Sequence, residues 1–176
     1  MKLVIFSFFF LAINNLTAQH TFDKWQREEI RDEFGDGTGK FVDAIYVRGK
    51  FSNTATVGSS LIAKITINED GHTNIELFEY DENPADFQEG SGFVSVKLPD
   101  GTTKKIRCRS VKKKGLIFAE TSSSIDPLKG ESLVMKSLLT DTNGILRFVI
   151  DEKNFSTYYG TATYSFSVPG KAKSGK

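Results

Sequence analysis

The chain has 176 residues, of which 39% are hydrophobic and 26% are charged. This composition excludes collagen-like and intrinsically disordered proteins, and the length suits one globular domain. The formal net charge is only +1, which argues against a general nucleic-acid binder. A domain of roughly 150 residues buries about 70% of its unfolded surface, so its core should need neither a disulfide nor a metal.

The first 18 residues have the features of a secretory signal peptide. A short positive start precedes an apolar run over residues 3–13, and Ala18 offers a small residue at a cleavage point before Gln19. The alternative, a membrane anchor, needs about 20 apolar residues, and Asn14 ends the run too early. We therefore predict a signal peptide over residues 1–18, no transmembrane anchor, and export to the periplasm or the extracellular space.

After this segment, alternating apolar and polar residues predict one strand after another. The opening segment, Phe22–Phe34, fits neither the strand nor the helix period cleanly, and we interpret it as a first strand with a helix as the alternative. Further strands are predicted over Phe41–Phe51, Leu61–Asn68, Thr73–Tyr80, Phe93–Leu98, Thr102–Ser110, Leu116–Glu120, Ile145–Asp151 and Tyr158–Val168. The segment Leu133–Leu139 is ambiguous, because its apolar residues also suit a short helix.

Turn residues between these segments predict sequential hairpins. Asp70-Gly71 is a hairpin signal because the turn needs residues that tolerate a positive φ, and Pro99-Asp100-Gly101 is a second one. Sequential hairpins without long helices favour two packed sheets. We therefore predict a single all-β domain over residues 19–169, an antiparallel β-sandwich of eight or nine strands. The tail, residues 170–176, has one alanine as its only apolar residue and is predicted to be disordered.

Charge is unevenly distributed along the chain. Residues 19–90 include 15 acidic and 7 basic side chains, whereas residues 91–176 include 7 acidic and 15 basic ones. Strands from both halves interleave in a sandwich, so one interpretation is that the two poles pair within the fold and largely cancel.

The densest basic run is the predicted ligand-binding site. Strand alternation places Lys105, Arg107 and Arg109 on one outward face, and a turn extends this ridge. The turn consists of Lys112, Lys113 and Lys114. Such a ridge suits an anionic glycan, a lipid headgroup or an acidic protein patch; the alternative is a charged strand edge that prevents pairing with other chains. No aromatic residue interleaves with these cations, so we expect no nucleic acid.

Catalytic motifs are absent from the sequence. Hydroxyl or thiol catalysis usually uses a histidine base, and the chain has only His20 and His72. Cys108, the single cysteine, shares a strand face with Ile106, so we predict a buried structural thiol rather than a thiolate activated by the flanking arginines. No serine-hydrolase, zinc-protease or phosphate-loop motif occurs, and we predict no cofactor.

Two acidic segments leave other chemistry open. One loop contains carboxylates that a hydrolase would use as an acid–base pair: they are Asp81, Glu82, Asp86 and Glu89. Asp32 and Asp36 lie in a glycine-rich stretch whose carboxylates and carbonyls suit a calcium ion, although Phe34 falls where a standard EF-hand loop needs an oxygen ligand. Loops this acidic are more often simply solvated.

Several local features support a resemblance to known families. Trp25 lies near the predicted mature start, an aspartate-rich glycine turn follows it, and residues 49–56 follow the second predicted strand. In these features the chain resembles small exported β-sandwich domains of Bacteroidota. It is more distantly similar to the type VI secretion accessory family called TagO or VasI, through Trp25 ahead of Asp32–Asp36 and through Leu146-Arg147-Phe148 followed by Tyr164-Ser165-Phe166. That family contains cysteine pairs, so the resemblance implies a fold rather than an activity or any site residue.

We therefore expect an exported, non-enzymatic binding protein or envelope accessory protein. Its expected partner is an anionic envelope component or another envelope protein. The alternatives are an envelope hydrolase that uses the acidic-loop carboxylates, and a structural oligomer. A hydrolase should show a pocket in which two carboxylates converge. A binding protein should show a flat or basic face. A structural oligomer should show a large exposed apolar patch.

Overall fold

The computed structural model describes residues 21–120, 130–155 and 161–171. These residues form ten strands: β1 (Gln26–Arg31), β2 (Gly37–Ser52), β3 (Ser59–Asn68), β4 (Thr73–Glu79), β5 (Asn83–Pro84), β6 (Gly90–Lys97), β7 (Thr103–Val111), β8 (Leu116–Ala119), β9 (Ile145–Asp151) and β10 (Thr163–Pro169). They also form one α-helix, α1 (Glu131–Asp141), and a single 3-10 turn at Glu152–Asn154. The predicted signal peptide lies outside the described residues.

Eight of the strands close into an antiparallel barrel. Their order is β2-β10-β9-β6-β7-β8-β4-β3, and β3 pairs with β2 again. The prediction of an all-β antiparallel fold is confirmed, but the prediction of a two-sheet sandwich is wrong. The physical reason is the 16-residue strand β2, which pairs with β3 on one edge and with β10 on the other, so that no edge remains at this position. Hairpin patterns are the same in a sandwich and a barrel, and only this long-range pairing distinguishes them.

Two strands lie outside the closed barrel. β1 pairs with the first half of β2, on the edge that β10 occupies further along the strand. The indole Nε1 of Trp25, just before β1, donates a hydrogen bond to the carbonyl oxygen of Pro169 at the end of β10, over 3.0 Å. The short strand β5 pairs with the end of β4. A strand was expected within Phe22–Phe34, and β1 confirms it.

Inward side chains fill the barrel as a packed core. Ile45, Ile65, Ile75 and Ile117 pair in register across four adjacent strands, and all are at most 2% exposed. On the opposite wall the rings of Phe148 and Phe166 stack, with centroids 5.1 Å apart. An eight-stranded barrel has an interior just wide enough for its own side chains. The interior therefore stabilises the fold, and candidate functional groups have to lie on the outside or at the ends.

Local turn and helix signals agree with the structure in most places. The β3–β4 and β6–β7 hairpins are confirmed, with Gly71 and Gly101 at φ values of +87° and +89°. The ambiguous segment Leu133–Leu139 is helical and lies within α1, which packs against β4, β7 and β8. Its Met135 and Leu139 side chains join the barrel core. None of the helices in the described ranges is long and apolar enough to cross a membrane.

The first two residues of the predicted disordered tail contact the barrel. Gly170 donates its backbone N–H to the carbonyl oxygen of Gly144 over 2.8 Å, and Lys171 donates to that of Leu139 over 2.7 Å. The Lys171 ammonium also pairs with the Asp43 carboxylate. The chain thus leaves the barrel from an anchored position, and residues 172–176 of the predicted tail lie outside the described part of the chain.

Candidate functional site

Exposed cations lie along the outer wall of five adjacent strands of the barrel, β2, β10, β9, β6 and β7. They are Arg48, Lys50, Lys97, Lys105, Arg107, Arg109 and Arg147. Side chains of a strand point alternately inward and outward. Because the neighbouring residues are buried in the core, these cations point to the outside of the barrel. From Arg48 of β2 through β7, Asp151 is the only acidic residue at an outward strand position. We call this surface the basic face.

Strand register arranges part of the basic face into two neighbouring rows that run across the strands. In the first row each residue pairs directly with the next: Lys50, Ser165, Val149, Ser95 and Lys105. The second row has Arg48 on β2 and then Ser167, Arg147, Lys97 and Thr103, of which the last four pair in succession. Neighbouring strands are about 4.8 Å apart, so each row follows the curved outer wall for roughly 19 Å, about half of the way around the eight-stranded barrel. In this double row, hydroxyl groups lie between cations.

The three strand residues of the predicted ridge all lie on the basic face. Lys105, Arg107 and Arg109 are exposed, as the alternation predicts. Arg107 differs from the other two, because its Nε lies 3.4 Å from an oxygen of the Glu120 carboxylate. That carboxylate also accepts a hydrogen bond from the Ser91 hydroxyl over 3.1 Å. The charge of Arg107 is therefore partly neutralised, whereas Lys105 and Arg109 have no ion pair with a described residue.

The lysine turn, Lys112–Lys114, lies at the far end of β7 and contacts a different part of the molecule. Lys113 donates its backbone N–H to the carbonyl oxygen of Phe87 over 3.0 Å. Phe87 belongs to the acidic loop, residues 81–89, so the lysine turn lies beside that loop. About 23 Å of extended chain separates Lys112 from Lys105. The turn therefore packs beside acidic residues and does not extend the double row.

Sequence reasoning missed four cations of the basic face, and their positions explain why. Arg48, Lys50, Lys97 and Arg147 stand apart from the dense basic run. It also missed Phe93, which is 46% exposed and pairs directly with Arg107 across β6 and β7. Alternation could have placed each residue outward, but only the order of strands in the barrel brings them to one surface. One aromatic side chain therefore does lie among the cations, contrary to the expectation from the local run.

The ion pairs do not support the interpretation that the acidic and basic halves cancel by pairing. Between described residues, only the pair of Lys171 with Asp43 joins the two halves of the chain. The other ion pairs form within one half and are Arg27–Glu69, Lys64–Glu28 and Arg107–Glu120. Most cations of the basic face therefore keep their charge available to an external ligand.

A groove of about 680 Å³ lies between β1 and the outer surface of β2, β3 and β4. Glu28 of β1 extends across it, with 3.1 Å between its carboxylate oxygen and the ammonium nitrogen of Lys64. That ammonium lies 5.1 Å from the centre of the Tyr46 ring. Burial lowers the pKa of Lys64, but hydrogen bonds with Tyr46 and Glu28 outweigh burial and raise the pKa overall. Lys64 is therefore charged near neutral pH, and the ion pair ties β1 to the barrel.

The predicted hydrolase carboxylates point outward from a loop at one end of the barrel. The four exposed residues are Asp81, Glu82, Asp86 and Glu89. Ala85 and Phe87 alternate with them and are buried in the core. The loop is therefore anchored by its apolar residues, and its acidic side chains face solvent, as in a solvated loop.

Glu152 is a buried carboxyl group near the same end of the barrel. Burial raises its pKa, which is a property that acid catalysts share. One oxygen accepts hydrogen bonds from the backbone N–H groups of Thr161 and Ala162, over 3.1 and 3.2 Å. These contacts connect the 3-10 turn to the start of β10. The carboxylate therefore serves to join two chain segments.

The predicted calcium ligands are used within their own loop. One carboxylate oxygen of Asp32 accepts the backbone N–H groups of Phe34 and Asp36, each over 2.9 Å. This is the usual way in which aspartate stabilises a turn. Within the described ranges, no group of three or more His, Cys, Asp or Glu residues is placed to hold a metal ion. The geometry therefore gives the calcium hypothesis no support.

Cys108 lies inside the barrel, as predicted, and is 0% exposed. Burial raises the pKa of its thiol to about 12, so the reactive thiolate is scarce at neutral pH. We expect a maleimide to label the native protein far more slowly than the urea-unfolded protein. Cys108→Ser should cost about 1–3 kcal/mol of stability, because it buries a hydroxyl group among apolar side chains.

A positive control for this labelling experiment is an exposed thiol in the same barrel. Ser165→Cys in the Cys108→Ser background should react rapidly, since Ser165 is exposed on β10. Rapid labelling of Cys108 in the native protein at neutral pH would contradict the structural role.

Comparison of the chain with protein-family models, with curated proteins and with solved structures finds no match. The resemblance to exported domains of Bacteroidota and to the TagO or VasI family therefore stays a prediction. The function has to be argued from the geometry of the chain itself.

Proposed function

We propose that the protein is an exported, non-enzymatic binding protein or envelope accessory protein that attaches to an anionic envelope component through the basic face. The observation that carries this proposal is the convergence of seven exposed cations, with one outward acidic residue, on five adjacent strands. Such a surface creates a strong local positive potential although the net charge of the chain is only +1. The signal-peptide features of residues 1–18 support the export part of the proposal.

The pairing of β7 in the barrel weakens the main alternative explanation of the basic ridge. Cations protect an exposed strand edge from pairing with other chains, and this would account for Lys105, Arg107 and Arg109 if β7 were an edge strand. However, β7 pairs with β6 on one side and with β8 on the other. The β8 pairing covers Cys108–Val111, and the backbone N–H of Glu120 donates to the carbonyl oxygen of Arg107 over 3.1 Å, whereas Lys105 has no described backbone partner on that side. Edge protection therefore does not account for Arg107 and Arg109, and their charge supports the proposal of a ligand-binding surface.

A structural oligomer fits the basic face less well. The exposed apolar residues of this face are Phe93, Ile145 and Val149, which are 46%, 57% and 43% exposed. They lie between cations and hydroxyl groups, whereas the core of an oligomer interface is depleted of charge. These side chains therefore favour a mixed polar ligand over a second copy of the chain.

Chromatography on immobilised heparin, a strongly anionic glycan, tests the proposal. The native protein should be retained at physiological ionic strength. A variant with Lys50→Gln, Lys97→Gln, Lys105→Gln and Arg147→Gln should elute at markedly lower salt, because four charges leave the face that contacts the polyanion. Its melting temperature should change little, since exposed charges contribute only about 0–1 kcal/mol each.

The matched control removes the same number of charges elsewhere, with Lys24→Gln, Lys112→Gln, Lys113→Gln and Lys114→Gln. It should be retained almost as strongly as the native protein. Equal losses in both variants would show that retention follows net charge alone. Failure of the native protein to bind at physiological salt would refute the proposed function.

A further inference from the structure

The double row is the part of the basic face most suited to an extended ligand. We infer that this ligand is a linear acidic polysaccharide that crosses the strands along the double row, with Arg147 at its centre, rather than following β7. The inference rests on the proposed function and specifies both the class of the ligand and its path. Three observations support it: the shape of the surface, the availability of the cations and the chemistry between them.

The shape of the surface favours a path across the strands. Two shallow depressions lie on either side of Arg147, with volumes of about 400 Å³ and 580 Å³. The first is bordered by Arg48 and Lys50, and the second by Lys97 and by Asp100 of the β6–β7 turn, whose carboxylate limits the positive charge at that end. Both include Arg147 and Ser167, so they adjoin each other along the second row. A chain in these depressions would run from β2 across β10 and β9 to β6.

The cations of the double row are available to a ligand. Lys50, Lys97, Lys105 and Arg147 are exposed and form no ion pair with another described residue. The guanidinium of Arg48 lies 4.6 Å from the centre of the Phe22 ring, which positions it at the β2 end of the row. By contrast, Arg107 lies outside the double row and is paired with Glu120. Arg109 also lies outside the double row and has no ion pair with a described residue, so five of the six unpaired cations of the basic face lie along the proposed path.

The groups between the cations favour a sugar chain over a nucleic acid. Four hydroxyl groups lie within the double row, and they belong to Ser95, Thr103, Ser165 and Ser167. Hydroxyls can donate to and accept from sugar hydroxyls, while an arginine such as Arg147 holds a carboxylate or sulfate through two parallel N–H groups. Proteins that bind single-stranded nucleic acid place aromatic side chains among the cations as stacking platforms. The double row contains Val149 at its centre, and none of its own residues is aromatic. Phe93 lies outside it beside Arg107, and Phe22 packs against Arg48 at the β2 end only.

Fragments of polygalacturonate of increasing length test the class of the ligand and its path by titration at physiological salt. Affinity should rise with length and level off once a fragment is about 19 Å long, which is the length of the path around the outer wall from β2 to β7. Arg147→Gln with Lys97→Gln should weaken binding of the long fragments at least tenfold. The matched variant Arg109→Gln with Lys112→Gln removes one arginine and one lysine outside the double row and should weaken binding less than threefold. Oligothymidylate with the same number of charges should bind the native protein at least tenfold more weakly.

Each outcome separates this inference from the proposed function. Equal weakening in the two variants, with binding to the native protein intact, would overturn the path and leave the proposed function standing. Tighter binding of oligothymidylate than of the acidic sugar would overturn the ligand class alone. Retention on heparin without binding to polygalacturonate would overturn the inferred ligand, whereas failure to be retained on heparin would refute the proposed function itself. All four positions are exposed, so melting temperatures near that of the native protein should confirm that each variant folds.

Discussion

Replacing Gly115 with alanine is expected to lower the free energy of unfolding by about 3–5 kcal/mol, which combines backbone strain, overpacking and a disturbed hydrogen bond. Gly115 ends the β7–β8 turn with a φ of +59°, a conformation that costs other residues roughly 1–2 kcal/mol. An added Cβ would lie 2.3 Å from the carbonyl oxygen of Leu77 and 2.8 Å from the backbone nitrogen of Ala85. These two atoms form a hydrogen bond of 2.9 Å, which fastens the acidic loop to β4. The alanine would therefore push the backbone at residue 115 away from the backbone of Leu77 and Ala85 at the end of the barrel.

Urea unfolding of Gly101→Ala provides the matched control. Gly101 has a similar positive φ of +89°, but an added Cβ would meet no atom within 4 Å. This substitution should cost only the strain of the backbone conformation, about 1–2 kcal/mol. The difference between the losses of unfolding free energy in the two variants measures the cost of bringing a Cβ against the backbone of Leu77 and Ala85. Equal losses would show that the β7–β8 turn does not pack against β4 and the loop as described.

Phe148→Ala is expected to destabilise the protein by about 3–5 kcal/mol, because it leaves a cavity in the barrel interior. The ring is 1% exposed and stacks on Phe166 with an angle of 7° between the two planes. For a chain of this size, such a loss lowers the melting temperature by roughly 10 °C, as scanning calorimetry would record.

The neighbouring residue on the same strand is the control for Phe148. Val149 points to the outside of β9 and is 43% exposed, so Val149→Ala should change stability by no more than about 0.5 kcal/mol. A small effect at Phe148, or a large one at Val149, would contradict the assignment of the inward and outward faces of β9.

Local patterns were sufficient to predict most of the strands and several turns, although they missed the short strand β5 and began the last strand before Thr163. The bounds of β9, Ile145–Asp151, agree with the prediction, because alternation with a period of two is a property of consecutive residues. The β3–β4 and β6–β7 hairpins follow equally from residues that tolerate a positive φ, Gly71 and Gly101. The burial of Cys108 follows from the same alternation. The segment that became α1 was ambiguous, because its short apolar run suits either period and its Met135 and Leu139 are buried only by contact with the barrel.

The sequence by itself therefore determined most of the strand segments, where two hairpins turn and which side of these strands is apolar. Only the tertiary structure decided that the sheet closes into a barrel and that the basic face exists as one surface. Both depend on hydrogen-bonded register between segments far apart in the chain: Lys50 pairs with Ser165, and Lys97 with Arg147. Alternation places a side chain inward or outward but carries no information about which strand lies beside it. That order is set by long-range pairing of β2 with β3 and β10, which buries the apolar faces together and leaves seven separate cations on a common outer surface.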